Sequence, residues 1–188
     1  MTSDKNRRKI LLDLAVTLDG FIEGKNGEID WCIMEEEMNF PGFLEGIDAI
    51  FFGRRSFEAW MTYEPENGYS EEDLKTLDNI RKKDHYVFTT TLKEHPADVT
   101  LIGENIEEEV NAIRNRPGKD IWLYGGSNLI TTFMNLGLVD ELRLSVHPIL
   151  LGEGKPLFID LKERAKLVLV KTNTYPSGVV QLIYHFEK

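Results

Sequence analysis

The sequence predicts one α/β domain of 188 residues, with a mixed, mostly parallel sheet flanked by helices. Apolar strand-like runs alternate with segments of helical periodicity through the first two-thirds of the chain. This alternation favours parallel strands joined by crossover helices. The last third is rich in strand patterns. Its final two patterns flank the turn sequence YPSG at Tyr175–Gly178, which predicts an antiparallel C-terminal hairpin.

The individual elements follow from short apolar runs, helical spacing and turn residues. The predicted strands are Lys9–Val16, Asp48–Gly53, His85–Thr89, Val99–Ile102, Ile121–Tyr124, Glu141–Ile149, Lys166–Asn173 and Val179–Phe186. The predicted helices lie around Glu35–Glu45, which Pro41–Gly42 interrupts, and at Arg54–Met61, Ser70–Lys83, Asn105–Arg116 and between Gly126 and Gly137. Leu151–Phe158 is a glycine-rich loop.

Composition limits the classes of function. The formal charge of −10 argues against nucleic acid as the main partner, because phosphate contacts need a basic face. No apolar run approaches the roughly 20 residues that span a bilayer, so we expect no membrane partner and a cytoplasmic location. Cys32 is the only cysteine, and the four histidines show no metal-ligand spacing, so we expect no metal.

A strand, a glycine pair and a helix follow one another at Ile121–Leu136. Gly125 and Gly126 let the backbone approach a ligand closely, since they carry no Cβ atom. The start of the following helix presents unpaired N–H groups and partial positive charge, which suit a phosphate. The alternative is that the glycines form only a tight connection.

A second turn of this kind is Gly53, Arg54, Arg55 and Ser56. It combines a glycine turn, a helix start, two guanidinium groups and a hydroxyl, which are the parts of a phosphate site. The alternative is that both arginines pair with nearby carboxylates. Three threonines, Thr89–Thr91, follow the next strand, and no acid occurs before Glu94. Hydroxyls near two arginines suit a 2′-phosphate, so NADPH is favoured over NADH.

These motifs resemble a known superfamily. GRRSFEAW is similar to the G-R-x-[ST]-[FYW]-E element of the dihydrofolate reductase fold. The segment IWLYGGSNLITTFMNLGLVDELRLSVHPILLGEGKPLF resembles the C-terminal half of the reductase domain of riboflavin biosynthesis, and LAVTLDGFIEG resembles its opening strand and loop. The resemblance runs from about Lys9 to Phe186. It implies one dihydrofolate reductase-like domain over residues 1–188, with three layers, an NADPH cofactor and often a homodimer.

The resemblance also implies roles for particular positions. Arg54, Arg55 and Ser56, after Gly53, would hold the adenosine-side phosphates, and Thr89 and Thr90 would flank the 2′-phosphate. The pyrophosphate would lie on Gly125, Gly126, Ser127 and Asn128, and the nicotinamide would lie against Ala15 and Ile22. A cis peptide between Gly125 and Gly126 is implied as well.

Two acids are candidates for the catalytic proton donor. Glu37 stands at about the position of the carboxylate that serves the pteridine in dihydrofolate reductases, and Asp19 lies in the loop after the first strand. A solvated helix face and a turn cap are the respective alternatives, and water is a third source of the proton.

The expected function is NADPH-dependent reduction of a CH–NH, C=N or C=O group in a small pyrimidine or pterin heterocycle. The 5-amino-6-(5-phosphoribosylamino)uracil reductases and dihydrofolate reductase-like enzymes carry out such reactions. The alternative is a non-catalytic nucleotide-binding protein that kept the fold.

Overall fold

A computed structural model describes residues 7–63, 70–92, 95 and 98–187. Its strands are β1 (Ile10–Thr17), β2 (Phe21–Glu23), β3 (Ile47–Gly53), β4 (Asp84–Phe88), β5 (Val99–Ile102), β6 (Asp120–Gly125), β7 (Glu141–His147), β8 (Lys155–Pro156), β9 (Leu167–Thr174) and β10 (Val180–Phe186). Its α-helices are α1 (Phe40–Glu45), α2 (Arg54–Met61), α3 (Glu71–Arg81), α4 (Ile106–Arg114) and α5 (Ser127–Asn135).

Within the described residues, one sheet has eight strands in the order β5-β4-β3-β6-β1-β7-β10-β9. The first six of these strands are parallel, whereas β10 is antiparallel to both β7 and β9. The predicted mixed sheet with an antiparallel C-terminal hairpin is therefore confirmed. Because the parallel strands share one direction, their carboxyl ends meet along one edge, which we call the rim.

The core lies on both faces of the sheet, as the sequence of β3 shows. Neighbouring residues of a strand point to opposite faces, and both Phe51 and Phe52 are fully buried. Phe51 packs against Phe133 of α5 on the face that α4 and α5 cover, and Phe52 packs against Phe57 of α2 on the face of α1, α2 and α3. The protein therefore has three layers.

The predicted helix around Glu35–Glu45 is wrong in its extent. A 3-10 turn covers Glu36–Met38, Asn39 adopts a left-handed conformation with φ of 49°, and α1 begins only at Phe40. The reason is Pro41, which lacks a backbone N–H and is tolerated in the first turn of a helix rather than in its interior. The side chain of Asn39 caps the new helix by accepting a hydrogen bond from the N–H of Gly42.

The C-terminal third also differs from the prediction in detail. The predicted strand Glu141–Ile149 ends at His147, before Pro148, and it is parallel to β1 on one side and antiparallel to β10 on the other. The loop Leu151–Phe158 contains the short strand β8, which pairs with β2. No helix in the described part of the chain has the length and apolar character needed to cross a membrane.

Ion pairs hold the end of the sheet opposite the rim. The guanidinium group of Arg114, whose side chain is 2% exposed, pairs with the carboxylate of Asp140. The same carboxylate accepts a hydrogen bond of 2.8 Å from the N–H of Ile10 at the start of β1. Arg8 pairs with Asp48 at the start of β3. These contacts fix the starts of the central strands.

Replacement of Asp140 by alanine is expected to destabilise the protein by about 3 kcal/mol, because the guanidinium group of Arg114 stays buried after its carboxylate is removed. Urea unfolding would measure the loss. Asp78→Asn is the matched control, since Asp78 forms an exposed pair with Lys82 within α3, and such pairs contribute about 0.5 kcal/mol or less. An equal decrease in the free energy of unfolding in the two variants would contradict the structural role of Asp140.

Candidate functional site

The turns after β4, β3 and β6 lie side by side at the rim. Gly53 is opposite Phe88 in the ladder between β3 and β4, and Phe52 is opposite Gly125 in the ladder between β3 and β6. A Cβ atom at Gly53 would lie 3.4 Å from the carbonyl oxygen of Gly125 and 3.5 Å from the nitrogen of Gly126. The starts of α2 and α5 are therefore adjacent.

The diglycine turn leads directly into α5. The peptide bond between Gly125 and Gly126 is cis, as the family resemblance implies, and Gly125 has φ of +106°. The hydroxyl of Ser127 donates a hydrogen bond of 2.8 Å to the carbonyl of Pro156, so it anchors the glycine-rich loop. The backbone N–H groups of the first turn of α5, including that of Asn128, lack intrahelical partners and suit an anion.

Lys155 is a site residue that the sequence analysis missed. A Cβ atom at Gly126 would lie 3.3 Å from Nζ of Lys155 and 3.4 Å from Oγ of Ser56. An ammonium group and a hydroxyl therefore converge on the diglycine turn. Nζ of Lys155 also contacts Oε1 of Glu23 at 2.8 Å. Lys155 follows two glycines in a predicted loop, and no local signal shows that this loop folds against the start of α5.

The two arginines of α2 have different surroundings. Nη1 of Arg54 bonds both carboxylate oxygens of Glu58, one turn further along the helix, at 2.8 and 2.7 Å. The alternative interpretation, pairing with a carboxylate, therefore describes Arg54 in this structure. Arg55 is exposed and forms no ion pair with a carboxylate in the described residues. Arg55 is thus the more available of the two guanidinium groups.

The threonines after β4 also divide into two kinds. The hydroxyl of Thr89 accepts hydrogen bonds of 3.1 Å from the N–H groups of Thr91 and Leu92, so it shapes the turn. Thr90 is exposed. Glu94, the first acid after these threonines, lies outside the described residues.

The sheet opens between β1 and β6 on its way to the rim. Within the described residues these strands pair only at Ile10 and Leu11, whereas β1 continues to pair with β7 as far as Thr17. Ala15 of β1 lies beyond the last pair with β6, so it borders the opening. Ile22 of β2 is partly buried against the core.

Asp19 is placed as a turn-forming residue. Its carboxylate accepts hydrogen bonds from the hydroxyl of Thr17 at 2.6 Å and from the N–H of Gly152 at 2.8 Å. These bonds, chiefly the one from Thr17, lower the pKa of Asp19. A carboxylate held ionised in this way is a poor proton donor.

Glu37, the other predicted acid, is exposed on the 3-10 turn, and no residue in the described ranges donates a hydrogen bond to it. The structure therefore places Glu37 in solvent, as the alternative interpretation of this residue expected. The neighbouring Glu35 instead accepts hydrogen bonds from the N–H and the hydroxyl of Ser177. The roles of Glu37 and Asp19 as proton donors remain predictions.

Asp13 is a second residue that the sequence analysis missed. It lies in the middle of β1, directly opposite Arg143 of β7. Burial raises its pKa from 3.8 to about 7, although Arg143 lowers it and Glu141 adds to the rise. No residue in the described part of the chain donates a hydrogen bond to this carboxyl group. A charged residue inside a buried strand is unusual, and that signal in KILLDLAV could have identified it.

A groove elsewhere in the described part of the chain does not suit an anion. An open groove of about 680 Å³ lies along α4, but Glu104, Glu107 and Glu108 line it. In the described residues, no group of three or more histidine, cysteine, aspartate and glutamate side chains is arranged to hold a metal ion.

The raised pKa of Asp13 has a consequence for stability. The folded state binds the proton more tightly than the unfolded state, so the contribution of Asp13 to stability is present below pH 4 and is lost as the pH rises to about 7. Asp13→Asn removes this loss. The variant should gain up to about 4 kcal/mol relative to the wild type between pH 4 and pH 8.

Urea unfolding at both pH values would measure this gain. Asp84→Asn, at an exposed carboxylate at the start of β4, is the matched control and should show no comparable gain. A gain of the same size in the control, or no gain in Asp13→Asn, would contradict the raised pKa.

The chain is similar over nearly its whole length to known proteins. The family model of the RibD C-terminal domain matches residues 8–181. The uncharacterized protein YyaP of Bacillus subtilis is 56% identical over 186 residues, which cover 99% of each chain.

Two solved structures share the fold at low sequence identity. One is a diaminohydroxyphosphoribosylaminopyrimidine deaminase/5-amino-6-(5-phosphoribosylamino)uracil reductase of Thermotoga maritima, with a TM-score of 0.70 and 16% identity; the alignment covers 97% of this chain and 58% of that one. The other is the dihydrofolate reductase of Enterococcus faecalis complexed with NADP(H) and RAB-propyl, with a TM-score of 0.64, 18% identity and coverage of 96% and 97%. The match of the family model to residues 8–181 shows that this protein belongs to the family of the RibD C-terminal domain.

Proposed function

We propose that the protein is an NADPH-dependent reductase of a small heterocycle of the pyrimidine or pterin type. The observation that carries the proposal is the convergence, at Gly126, of the start of α5 with the side chains of Ser56 and Lys155. In a chain with a formal charge of −10, this local concentration of donors is suited to a phosphate-bearing ligand. Family membership and the NADP(H) in the dihydrofolate reductase of E. faecalis support the choice of cofactor.

The residues of the rim fit the parts of NADPH. Its pyrophosphate suits the N–H groups of Gly126, Ser127 and Asn128 together with Lys155, and Gly53 leaves room for close approach. Its 2′-phosphate suits Arg54, Arg55, Thr89 and Thr90, whereas Ser56 lies beside Gly126 on the side of the pyrophosphate. Ala15, which borders the opening beside β1, and Ile22, which is partly buried against the core, suit the nicotinamide.

When bound, NADPH supplies a hydride, so the protein contributes binding, orientation and electrostatics. The carboxylate of Asp19, in the loop after β1, accepts a hydrogen bond from Gly152 of the glycine-rich loop. The hydroxyl of Ser127 donates a hydrogen bond to Pro156 of the glycine-rich loop. These bonds keep Lys155 beside the diglycine turn. The proposed reaction reduces a CH–NH, C=N or C=O group of a substrate that lies against the nicotinamide, near Phe40.

The preference for NADPH over NADH is tested by replacing Arg55. We expect Arg55→Ala to weaken NADPH binding about tenfold, because a charge-assisted contact with phosphate contributes about 1.5–3 kcal/mol when formed and less when exposed. The affinity for NADH should not change. Arg54→Ala should have the smaller effect, since Arg54 is engaged by Glu58.

Thermal shift with each nucleotide measures these affinities, because a ligand that binds only the folded state raises its stability. Arg81→Ala, at an exposed arginine at the end of α3, is the control. Equal shifts with NADPH and NADH in the wild type would remove the argument for a 2′-phosphate site.

A non-catalytic nucleotide-binding protein is the second candidate. This candidate is favoured by the positions of the two acids predicted as proton donors. Asp19 caps a turn, and Glu37 is exposed to solvent. This candidate predicts NADPH binding without a loss of absorbance at 340 nm in the presence of pterins, pyrimidinones or quinones.

We also propose that the protein acts as a homodimer through β9. This strand forms an edge of the sheet, and its apolar side chains Leu167, Val168, Leu169 and Val170 are 39%, 51%, 52% and 52% exposed. An exposed apolar edge strand is a template for pairing with another chain. A second copy presents the same edge, so two copies could extend the sheet symmetrically.

Val168→Lys combined with Val170→Lys places two charges on one face of β9 and should convert a dimer to a monomer. Light scattering coupled to size-exclusion chromatography measures the mass. Leu74→Lys, at a leucine of α3 that is 47% exposed, is the control and should leave the mass unchanged. A wild-type mass of 21.6 kDa would overturn the proposed dimer.

A further inference from the structure

We propose that Asp13 is the acid that donates a proton to the substrate, in place of the acids that the sequence suggested. This inference rests on the proposed reductase function and names the group that completes its chemistry. It is carried by the position of Asp13 in β1, by the groups around its carboxyl and by the polar character of the sheet face on which it lies.

The position of Asp13 is next to the predicted cofactor site. Asp13 and Ala15 are two residues apart in β1, so their side chains lie on the same face of the sheet. Ala15 borders the opening between β1 and β6, where the nicotinamide is proposed to lie. The indole N–H of Trp122 in β6 donates a hydrogen bond of 2.9 Å to the backbone carbonyl of Asp13. This bond fixes β1 at the position of the carboxyl group.

The carboxyl of Asp13 is close to a cation that is already paired. Nε of Arg143 bonds Oε1 of Glu141 at 2.5 Å, and the guanidinium group lies over the ring of Phe43 at 5.5 Å. Glu141 also bonds Nε2 of His185 on β10, and its pKa is lowered because these hydrogen bonds outweigh its burial. Arg143 therefore stabilises Glu141 as the anion and only partly offsets the burial of Asp13.

The phenols of Tyr175 and Tyr124 add no positive charge to the surroundings of Asp13. Burial raises the pKa of Tyr175, and the charges of Asp13 and Glu35 raise it further. Burial also raises the pKa of Tyr124 on β6, so this phenol stays neutral. With these neighbours, the pKa of about 7 keeps a large fraction of Asp13 protonated near neutral pH. An acid whose pKa matches the working pH is the most effective proton donor.

The sheet face around Asp13 carries polar side chains that suit a heterocycle. Ala15 is opposite Ser145 of β7, which in turn is opposite Gln181 of β10, so these side chains share one face. Oε1 of Gln181 accepts a hydrogen bond of 2.9 Å from the amide of Asn173. No acceptor for the amide nitrogen of Gln181 occurs within the described residues, so this donor suits a carbonyl group on the substrate ring.

The proposed reaction balances with NADPH as the reductant. A C=N bond takes a hydride at carbon, which delivers two electrons and forms a C–H bond while NADPH becomes NADP⁺. The nitrogen takes the proton of Asp13 and forms an N–H bond, which leaves Asp13 as a carboxylate. Water then returns the proton to Asp13. Below pH 7 the acid is in its active form, and above pH 7 the rate falls as this form is lost.

The first test is a direct titration of Asp13. Infrared spectra of protein labelled with ¹³C-aspartate should show a protonated carboxyl band that disappears with a midpoint near pH 7. The band should be absent from Asp13→Asn and present in Asp84→Asn. A band that is already lost by pH 5 would overturn the proposal.

The second test compares binding with turnover, with NADPH and 7,8-dihydropterin as the probes. Asp13→Asn should bind NADPH with a Kd within twofold of the wild-type value, but its rate should fall at least 100-fold and lose the dependence on pH near 7. Asp13→Glu keeps the carboxyl group and should restore part of the rate, which a purely structural role does not explain. An unchanged rate and pH profile in Asp13→Asn would overturn the role of Asp13 while leaving the reductase intact.

Other results would overturn the proposed reductase function as a whole. A wild-type protein that does not bind NADPH overturns the proposed reductase, and the role of Asp13 falls with it. The same holds for a wild-type protein that binds NADPH but oxidises it with none of a panel of dihydropterins and pyrimidinones.

Discussion

The close approach of Gly53 to the peptide between Gly125 and Gly126 is the constraint on which the rest of the site depends. Two adjacent parallel strands, β3 and β6, each turn directly into a helix, and the starts of α2 and α5 can be neighbours only where backbone packs against backbone. A large side chain at either turn would separate them. The contact therefore concentrates the positive ends of two helix dipoles at one place on an acidic protein.

The two ends of the sheet have different roles. At the starts of the strands, ion pairs of Arg114 with Asp140 and of Arg8 with Asp48 hold β1, β3 and the segment before β7 together. At the rim, β1 and β6 separate, and the turns carry polar and charged side chains such as Arg55 and Lys155. Asp13 lies on β1, which runs from the ion pairs at one end of the sheet to the opening at the other. Because the pKa of Asp13 is raised, ionisation of its carboxyl group lowers the stability of the folded state as the pH rises to about 7.

Much of the fold could be predicted because its signals are local. The alternation of strand and helix patterns, the glycine turns at Gly53 and Gly125, and the capping box at Ser70 all depend on residues close in sequence. The helix around Glu35–Glu45 was predicted wrongly because Pro41 sets where a helix can begin, and this outweighed the surrounding composition. Among the site residues, the sequence indicated the turns of the rim but gave the same weight to Arg54 and Arg55, which differ only in their neighbours.

The sequence by itself determined the class of fold, the diglycine turn and the presence of anion-binding groups at the ends of several strands. The reason is that the periodicity of apolar residues, the spacing of glycines and the local charge are properties of short segments. Only the tertiary structure decided which groups meet. Lys155 lies 29 residues after Gly126 in the chain yet beside it in space, and Asp13 is opposite Arg143 only because β1 and β7 are neighbours in the sheet. The pairing of strands and the burial that shifts the pKa of a carboxyl group both arise from contacts between distant segments, which no local pattern records.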